Sequence, residues 1–204
     1  MRHLFIQTEK DFISGLPRYA FDGKIIVIQS PTEAERAVRV LQRSAVLGID
    51  TETRPSFRRG QSHKVALLQI ANDEICFLFR LNEIGFLPCL CNLLSNPDVL
   101  KIGLSLHDDF MMLRQREPSF KPNGYIDLQD YVKDLGIKDM SLQKLYANVF
   151  HMRISKSARL SNWESDILSE SQKVYAATDA VTCIHLYKEL KKLKATKDFH
   201  LIEI

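Results

Sequence analysis

Two short apolar runs, KVALLQIA (64–71) and EICFLF (74–79), are separated only by Asn72 and Asp73. A two-residue polar connection of this kind closes an antiparallel β-hairpin, which fixes how the middle of the chain can fold. A third short apolar run, AVLGID (45–50), lies upstream, so three antiparallel strands are expected here. KIIVIQS (24–30) reads as a further strand. The segment after it, PTEAERAVRVLQRS, has Pro31 near a helix start and Ala34, Val38 and Leu41 at helical spacing. Beyond residue 80 the pattern changes. Residues 81–96 are apolar at helical period, with Gly85 and Pro88 making the start irregular. Strands at 98–103 and 125–128 then alternate with helices at SLHDDFMMLRQRE, 129–135, 141–149 and 170–194, and 151–162 has the character of a loop. A meander followed by alternation predicts an α/β fold: a mixed five-stranded sheet, three strands antiparallel and two parallel, with helices on both faces and one extra N-terminal strand.

Against that framework, four carboxylates stand out: Asp50 and Glu52 in GIDTETRPSF, Asp109 in KIGLSLHDDFMML, and Asp179 in VYAATDA. Each ends or faces an apolar segment. A carboxylate placed there loses solvation, and several that converge repel one another unless a cation holds them. Residues two apart on a strand share a face, so Asp50 and Glu52 can chelate together. Oxygen ligands alone point to Mg²⁺ or Mn²⁺ rather than zinc.

For the third carboxylate there are two neighbouring candidates. Leu106, Asp109, Phe110 and Leu113 follow helical i, i+3, i+4, i+7 spacing, which turns Asp109 inward, whereas Asp108 lies about 100° away. Asp109 is the expected ligand and Asp108 a solvated or helix-start charge. Gly103 would let the chain turn sharply into this helix. Asp179 sits among Ala176, Ala177 and Ala180, small residues that permit close packing on the sheet. Tyr175, one helical turn earlier, can aim its hydroxyl at the same point.

The composition adds bounds. With 204 residues, 45% hydrophobic and 26% charged, the chain suits one ordinary globular domain. A net charge of +3 is compatible with a polyanionic partner and demands none. Cys76, Cys89, Cys91 and Cys183 lack metal-ligand spacing and read as reduced thiols. With no secretory or membrane-spanning pattern, a cytoplasmic location and no membrane partner are expected.

The segments bearing Asp50-x-Glu52, Asp109 and Tyr175-x-x-x-Asp179 resemble the three motifs of the DEDD exonuclease superfamily, and the tyrosine places the chain with its DEDDy subgroup. That subgroup includes ribonuclease D, family A polymerase proofreading domains and the Werner-syndrome exonuclease domain. The resemblance to the last is strongest, because SLQKLYANVF, SARLSNWES and SQKVYAATDA follow in the same order. It covers about residues 47–190. The resemblance implies a ribonuclease H-like fold and 3′ to 5′ removal of nucleotides, as 5′-monophosphates, with two divalent cations, Mg²⁺ or Mn²⁺. Asp50, Glu52 and Asp179 would hold one cation, Asp50 and Asp109 the second, and Tyr175 would align the attacking water. The partner would be a nucleic acid with a 3′ end, DNA or RNA.

Substrate contacts are expected from Thr53, Arg58, His107, Arg153 and Lys156, with Arg54, Arg59, Lys64 and Arg159 as further cations near the site. Trp163 reads as a packing anchor for its loop rather than a base-stacking platform. Two other readings compete: a noncatalytic nucleic-acid-binding module on the same fold, and a phosphoesterase of very short oligonucleotides. The exonuclease core spans about 45–192 of a single domain. Residues 1–24 and the tail 193–204, with Phe199, Leu201, Ile202 and Ile204, carry no readable pattern. A homo-oligomer would supply extra surface for gripping a strand.

Overall fold

The computed structural model describes residues 1–58 and 60–203; Arg59 and Ile204, named above, lie outside them. The first half of the chain comprises β1 (Arg2–Phe5), α1 (Lys10–Ser14), β2 (Lys24–Ile28), α2 (Pro31–Leu41), β3 (Val46–Thr53), β4 (Val65–Ala71), β5 (Ile75–Arg80), α3 (Leu81–Ile84) and α4 (Pro88–Ser95). The second comprises β6 (Leu100–Gly103), α5 (Leu106–Arg114), β7 (Tyr125–Asp127), α6 (Leu128–Lys133), α7 (Leu142–Phe150), α8 (Glu170–Thr196) and β8 (Phe199–Ile202).

The main sheet has six strands in the order β2-β5-β4-β3-β6-β7. The hairpin and its upstream neighbour form the antiparallel meander β3, β4 and β5. The turn is secured by Asn72, whose Oδ1 accepts from the backbone N–H of Glu74 (3.0 Å) and Ile75 (2.9 Å). β6 and β7 add in parallel on the β3 side. β2 adds in parallel to β5 at the opposite edge, which makes the extra N-terminal strand the sixth member of the sheet.

Local chemistry sets the helix limits. Ser30 and Glu33 form a reciprocal capping box at the start of α2, with Pro31 in its first turn, and Ser169 and Gln172 form another at the start of α8. Gly85, at φ 74°, divides the predicted 81–96 helix into α3 and α4.

Helices cover both faces. Ile28, Leu47, Ile49, Leu68, Ile70, Phe77 and Phe79 pack with residues of α2, α4 and α5 on one side. On the other, Leu67, Ala71 and Leu78 meet Ala176, Ala177 and Ala180 of α8. α6 and α7 close a third cluster against the later half of α8.

A second, two-stranded sheet joins the ends of the chain: β1 pairs in parallel with β8, from Arg2 opposite Phe199 to Phe5 opposite Ile202. The N-terminal segment is then tied to α7, where the Asn148 side chain both accepts from Phe5 N and donates to Phe5 O, each at 2.8 Å. Four-residue strands with mixed polarity carry no period of their own, so this pairing across the length of the chain was invisible in sequence.

Candidate active site

β3 runs through the middle of the sheet and ends at the site. Gly48, Asp50 and Glu52 alternate onto its α8 face. A Cβ at Gly48 would lie 1.9 Å from the Ala180 carbonyl oxygen, so α8 presses directly on β3 at this point. That close approach brings Asp179 to the strand: Asp50, Glu52 and Asp179 each present a carboxylate oxygen, and all three atoms lie within 4.8 Å of one another. Glu52 and Asp179 are buried, at 9% and 8% exposure.

Asp109 arrives from the other side of β3 on α5. It is half-buried, and Thr51 Oγ1, the residue between the two β3 carboxylates, donates a hydrogen bond to its Oδ1. Asp108 is exposed and accepts from Ser105 Oγ at 3.0 Å. The inward and outward helix positions are therefore occupied as the spacing predicts.

The turn that delivers α5 differs from expectation in one respect. The left-handed residue is Ser105, at φ 65°, not Gly103. Gly103 is needed for room instead, since a Cβ there would meet Leu106 Cδ2 at 2.3 Å and Ile49 O at 2.8 Å. Asp127, at the end of β7, holds this unusual turn. Its carboxylate accepts from Ser105 N (3.0 Å), Leu106 N (2.7 Å) and Gln129 N (2.9 Å), capping α5 and α6 together. Asp127 carries no motif in the sequence. The residue is sequence-distant from α5, and only the strand-end position of an Asp before a helix could have hinted at capping.

The electrostatics follow from crowding. Burial, then the charges of Asp109, Glu52 and Asp179, push the Asp50 carboxyl far above the ordinary range. Burial with Asp179 and Asp109 nearby lifts Glu52 to about 9. Burial lifts Asp109 to about 7 against the Thr51 hydrogen bond, and Asp179 to about 7 against the Tyr175 hydrogen bond and the Lys156 charge. Tyr175, buried on α8 and packed at 6.0 Å against Trp163, has its phenol pushed well above its usual value by burial and by Asp179. Clustered acids held this reluctantly ionised, with oxygen ligands only, fit a hard divalent cation. The group Asp50, Glu52 and Asp179 can hold one.

A cleft of about 230 Å³ opens beside Tyr175 and Asp179, lined also by Lys156, Arg159, Gln143 and Ser155. Of the other residues singled out, Thr53 ends β3 just past a register shift, and Arg58, Lys64 and His107 are exposed. Arg54 pairs with Glu164 (3.2 Å). Arg153 donates through Nε to the Leu16 carbonyl (3.0 Å), while its backbone pairs with Pro17 and Tyr19, so it fastens the N-terminal segment to the 151–162 loop. Trp163 is fully buried, as a packing anchor would be. Arg80, 1% exposed and given no role by the sequence, secures the segment that follows Trp163 by donating to the carbonyls of Ser165 (2.5 Å) and Asp166 (3.3 Å).

The match to a family model settles the lineage: the model described as 3′-5′ exonuclease fits residues 25–194. The chain belongs to the 3′-5′ exonuclease family. Among family relatives, the bifunctional 3′-5′ exonuclease/ATP-dependent helicase WRN of Mus musculus is 30% identical over 192 residues, covering 89% of this chain and 14% of that protein. A 3′-5′ exonuclease of Arabidopsis thaliana is 32% identical over 195 residues, covering 88% of this chain and 67% of that protein. The chain thus spans one seventh of the first relative's length and two thirds of the second's. The crystal structure of the Aedes aegypti Nibbler EXO domain superposes with a TM-score of 0.80 at 20% identity, covering 89% of this chain and 94% of that one. At that identity the likeness establishes the fold, a ribonuclease H-like mixed sheet with flanking helices. The exonuclease motifs expected from the sequence all fall within the matched span.

Proposed function

We propose that this chain removes nucleotides one at a time from the 3′ end of a nucleic-acid strand by metal-dependent phosphodiester hydrolysis, releasing nucleoside 5′-monophosphates. The observation that carries this reading is the convergence of three carboxylate oxygens within 4.8 Å, from β3 and α8, with Asp179 also lining a cleft that carries Lys156 and Arg159. Asp50, Glu52 and Asp179 are assigned to one divalent cation, Mg²⁺ or Mn²⁺, and Asp50 with Asp109 to a second. When bound, such cations supply the positive charge that acidifies water and stabilises a leaving 3′ oxygen.

The remaining work falls to the protein. Thr51 orients Asp109 through its hydrogen bond. A phenol is an intrinsically weak acid, so Tyr175, one helical turn before Asp179, is assigned to aligning the attacking water by hydrogen bonding. Lys156 and Arg159 neutralise phosphate charge in the cleft, and Thr53, Arg58 and His107 contact the strand at the rim.

The test is digestion of 5′-labelled single-stranded DNA and RNA with Mg²⁺, Mn²⁺ or EDTA, by the wild type, Asp50→Ala and Tyr175→Phe. A ladder shortening from the 3′ end, abolished by EDTA and by Asp50→Ala and slowed by Tyr175→Phe, is expected. Binding of the strand without cleavage in any metal would replace this reading with that of a binding module.

A further inference from the structure

Gln69 lies within β4, fully buried at 0% exposure, and among the described residues neither its side-chain Oε1 nor its Nε2 has a hydrogen-bond partner. A buried carboxamide left this way bears the desolvation cost of both a donor and an acceptor, and such a group in a folded protein calls for an explanation. The strand register supplies one. Along β3 and β4 the cross-strand pairs are Gly48 with Ala71, Asp50 with Gln69, and Glu52 with Leu67. All six residues share the face covered by α8, as shown by Leu67 and Ala71 packing with Ala176, Ala177 and Ala180, and by the contact of Gly48 with Ala180. Gln69 is therefore the side chain directly opposite Asp50 on the floor of the site. Cross-strand Cβ atoms lie about 4.5–5.5 Å apart, within the reach of a glutamine carboxamide.

We propose that Gln69 is a positioning residue for Asp50: its Nε2 donates to the Asp50 carboxylate when that group is ionised to hold a cation, and so fixes the ligand's orientation. The assignment rests on the metal-dependent reading above. Buried donors behind a carboxylate ligand commonly govern how tightly a metal is held, and their loss weakens binding about 10–100-fold. Gln69 does not touch the reacting atoms, so its effect should appear in metal affinity.

The experiment is Mn²⁺ titration, followed by electron paramagnetic resonance of free Mn²⁺, on the full chain as wild type and Gln69→Met. Methionine keeps the volume and removes both orphaned polar atoms. The metal-free variant should melt at or above the wild-type temperature, while its Mn²⁺ affinity falls about 10-fold or more. Unchanged affinity in a folded variant would overturn the assignment. If Gln69→Met does not fold, the Gln69 side-chain amide resonances of the wild type are followed on adding Mg²⁺. They should move downfield as the hydrogen bond forms, and no movement at saturating Mg²⁺ would equally overturn it. Failure of the wild type itself to bind Mn²⁺ would instead sink the metal reading on which the proposal stands.

Discussion

Gly48→Ala puts the packing that assembles the site under direct strain. The added Cβ would stand 1.9 Å from the Ala180 carbonyl oxygen and 2.8 Å from its carbonyl carbon, both of them backbone atoms that no rotamer change can move. Ordinary contact begins near 3.4 Å, so α8 and β3 must separate by about 1.5 Å at this point. Overpacking of this kind costs about 1–3 kcal/mol. For a chain of this size each kcal/mol lowers Tm by roughly 2–4 °C. The functional effect should exceed the stability effect, because Asp179 is adjacent to Ala180 and Asp50 is two residues from Gly48. A ligand displaced by about 1 Å can cost about 100-fold in rate. Calorimetry, Mn²⁺ titration and exonuclease rate would be measured together, with Gly15→Ala as the control, since among the described residues a Cβ at Gly15 meets nothing within 4 Å. A Gly48→Ala protein with wild-type Tm and wild-type Mn²⁺ affinity would refute the argument that α8 must press on β3 to form the site.

Asp109→Ala should abolish turnover with the fold retained, while Asp108→Ala, at an exposed position, should leave most of it; the opposite ranking would reassign the α5 carboxylate. Asp127→Ala removes the acceptor for three backbone N–H groups at two helix starts, so about 1–4 kcal/mol of stability should be lost by denaturant titration, with activity falling further as Asp109 loosens. Equal stability of Asp127→Ala and wild type would show the caps to be dispensable. Burial raises Glu52 to about 9 and Asp109 and Asp179 to about 7, from ordinary values of 4.5, 3.8 and 3.8. The metal-free native state then binds more protons than the unfolded chain, so these groups stabilise at low pH and that contribution is lost as pH rises through their folded values. The Tm of EDTA-treated protein should therefore decline between pH 5 and 9, and decline less with Mn²⁺ present; a Tm rising over that range in EDTA would contradict the site's electrostatics.

Periodicity and turn chemistry made much of this protein legible before any coordinates. The Asn72–Asp73 connection forced the hairpin, alternation put Asp50 and Glu52 on one face, and helical spacing separated Asp109 from Asp108. These are short-range properties, in which each residue's direction follows from its neighbours in the chain. Individual roles at longer range were not legible. Desolvation and shared faces group Asp50, Glu52, Asp109 and Asp179 with Tyr175 from the sequence alone, but Asp127 behind α5, Arg80 against Ser165 and Asp166, and Gln69 across from Asp50 are not legible there. Each of these acts on a partner 19 or more residues away, and little in its local sequence distinguishes such a residue from a solvated charge, a local cap or a buried amide.

The terminal segments show the same division. Residues 1–24 and 193–204 were unreadable because β1 and β8 have meaning only when paired, Arg2 with Phe199 through Phe5 with Ile202. Gly103 is subtler: its position before a helix is plain in the sequence, but the tertiary structure gives the positive φ to Ser105 and leaves Gly103 to make room for Ile49 and Leu106. The sequence by itself determined the strands of the main sheet, most of the helices that flank them and which carboxylates face inward, because backbone periodicity is a local constraint. The tertiary structure decided the order of the six strands, the closure of α8 onto β3 and the residues that hold the acids in place, because these depend on contacts that sequence spacing does not encode.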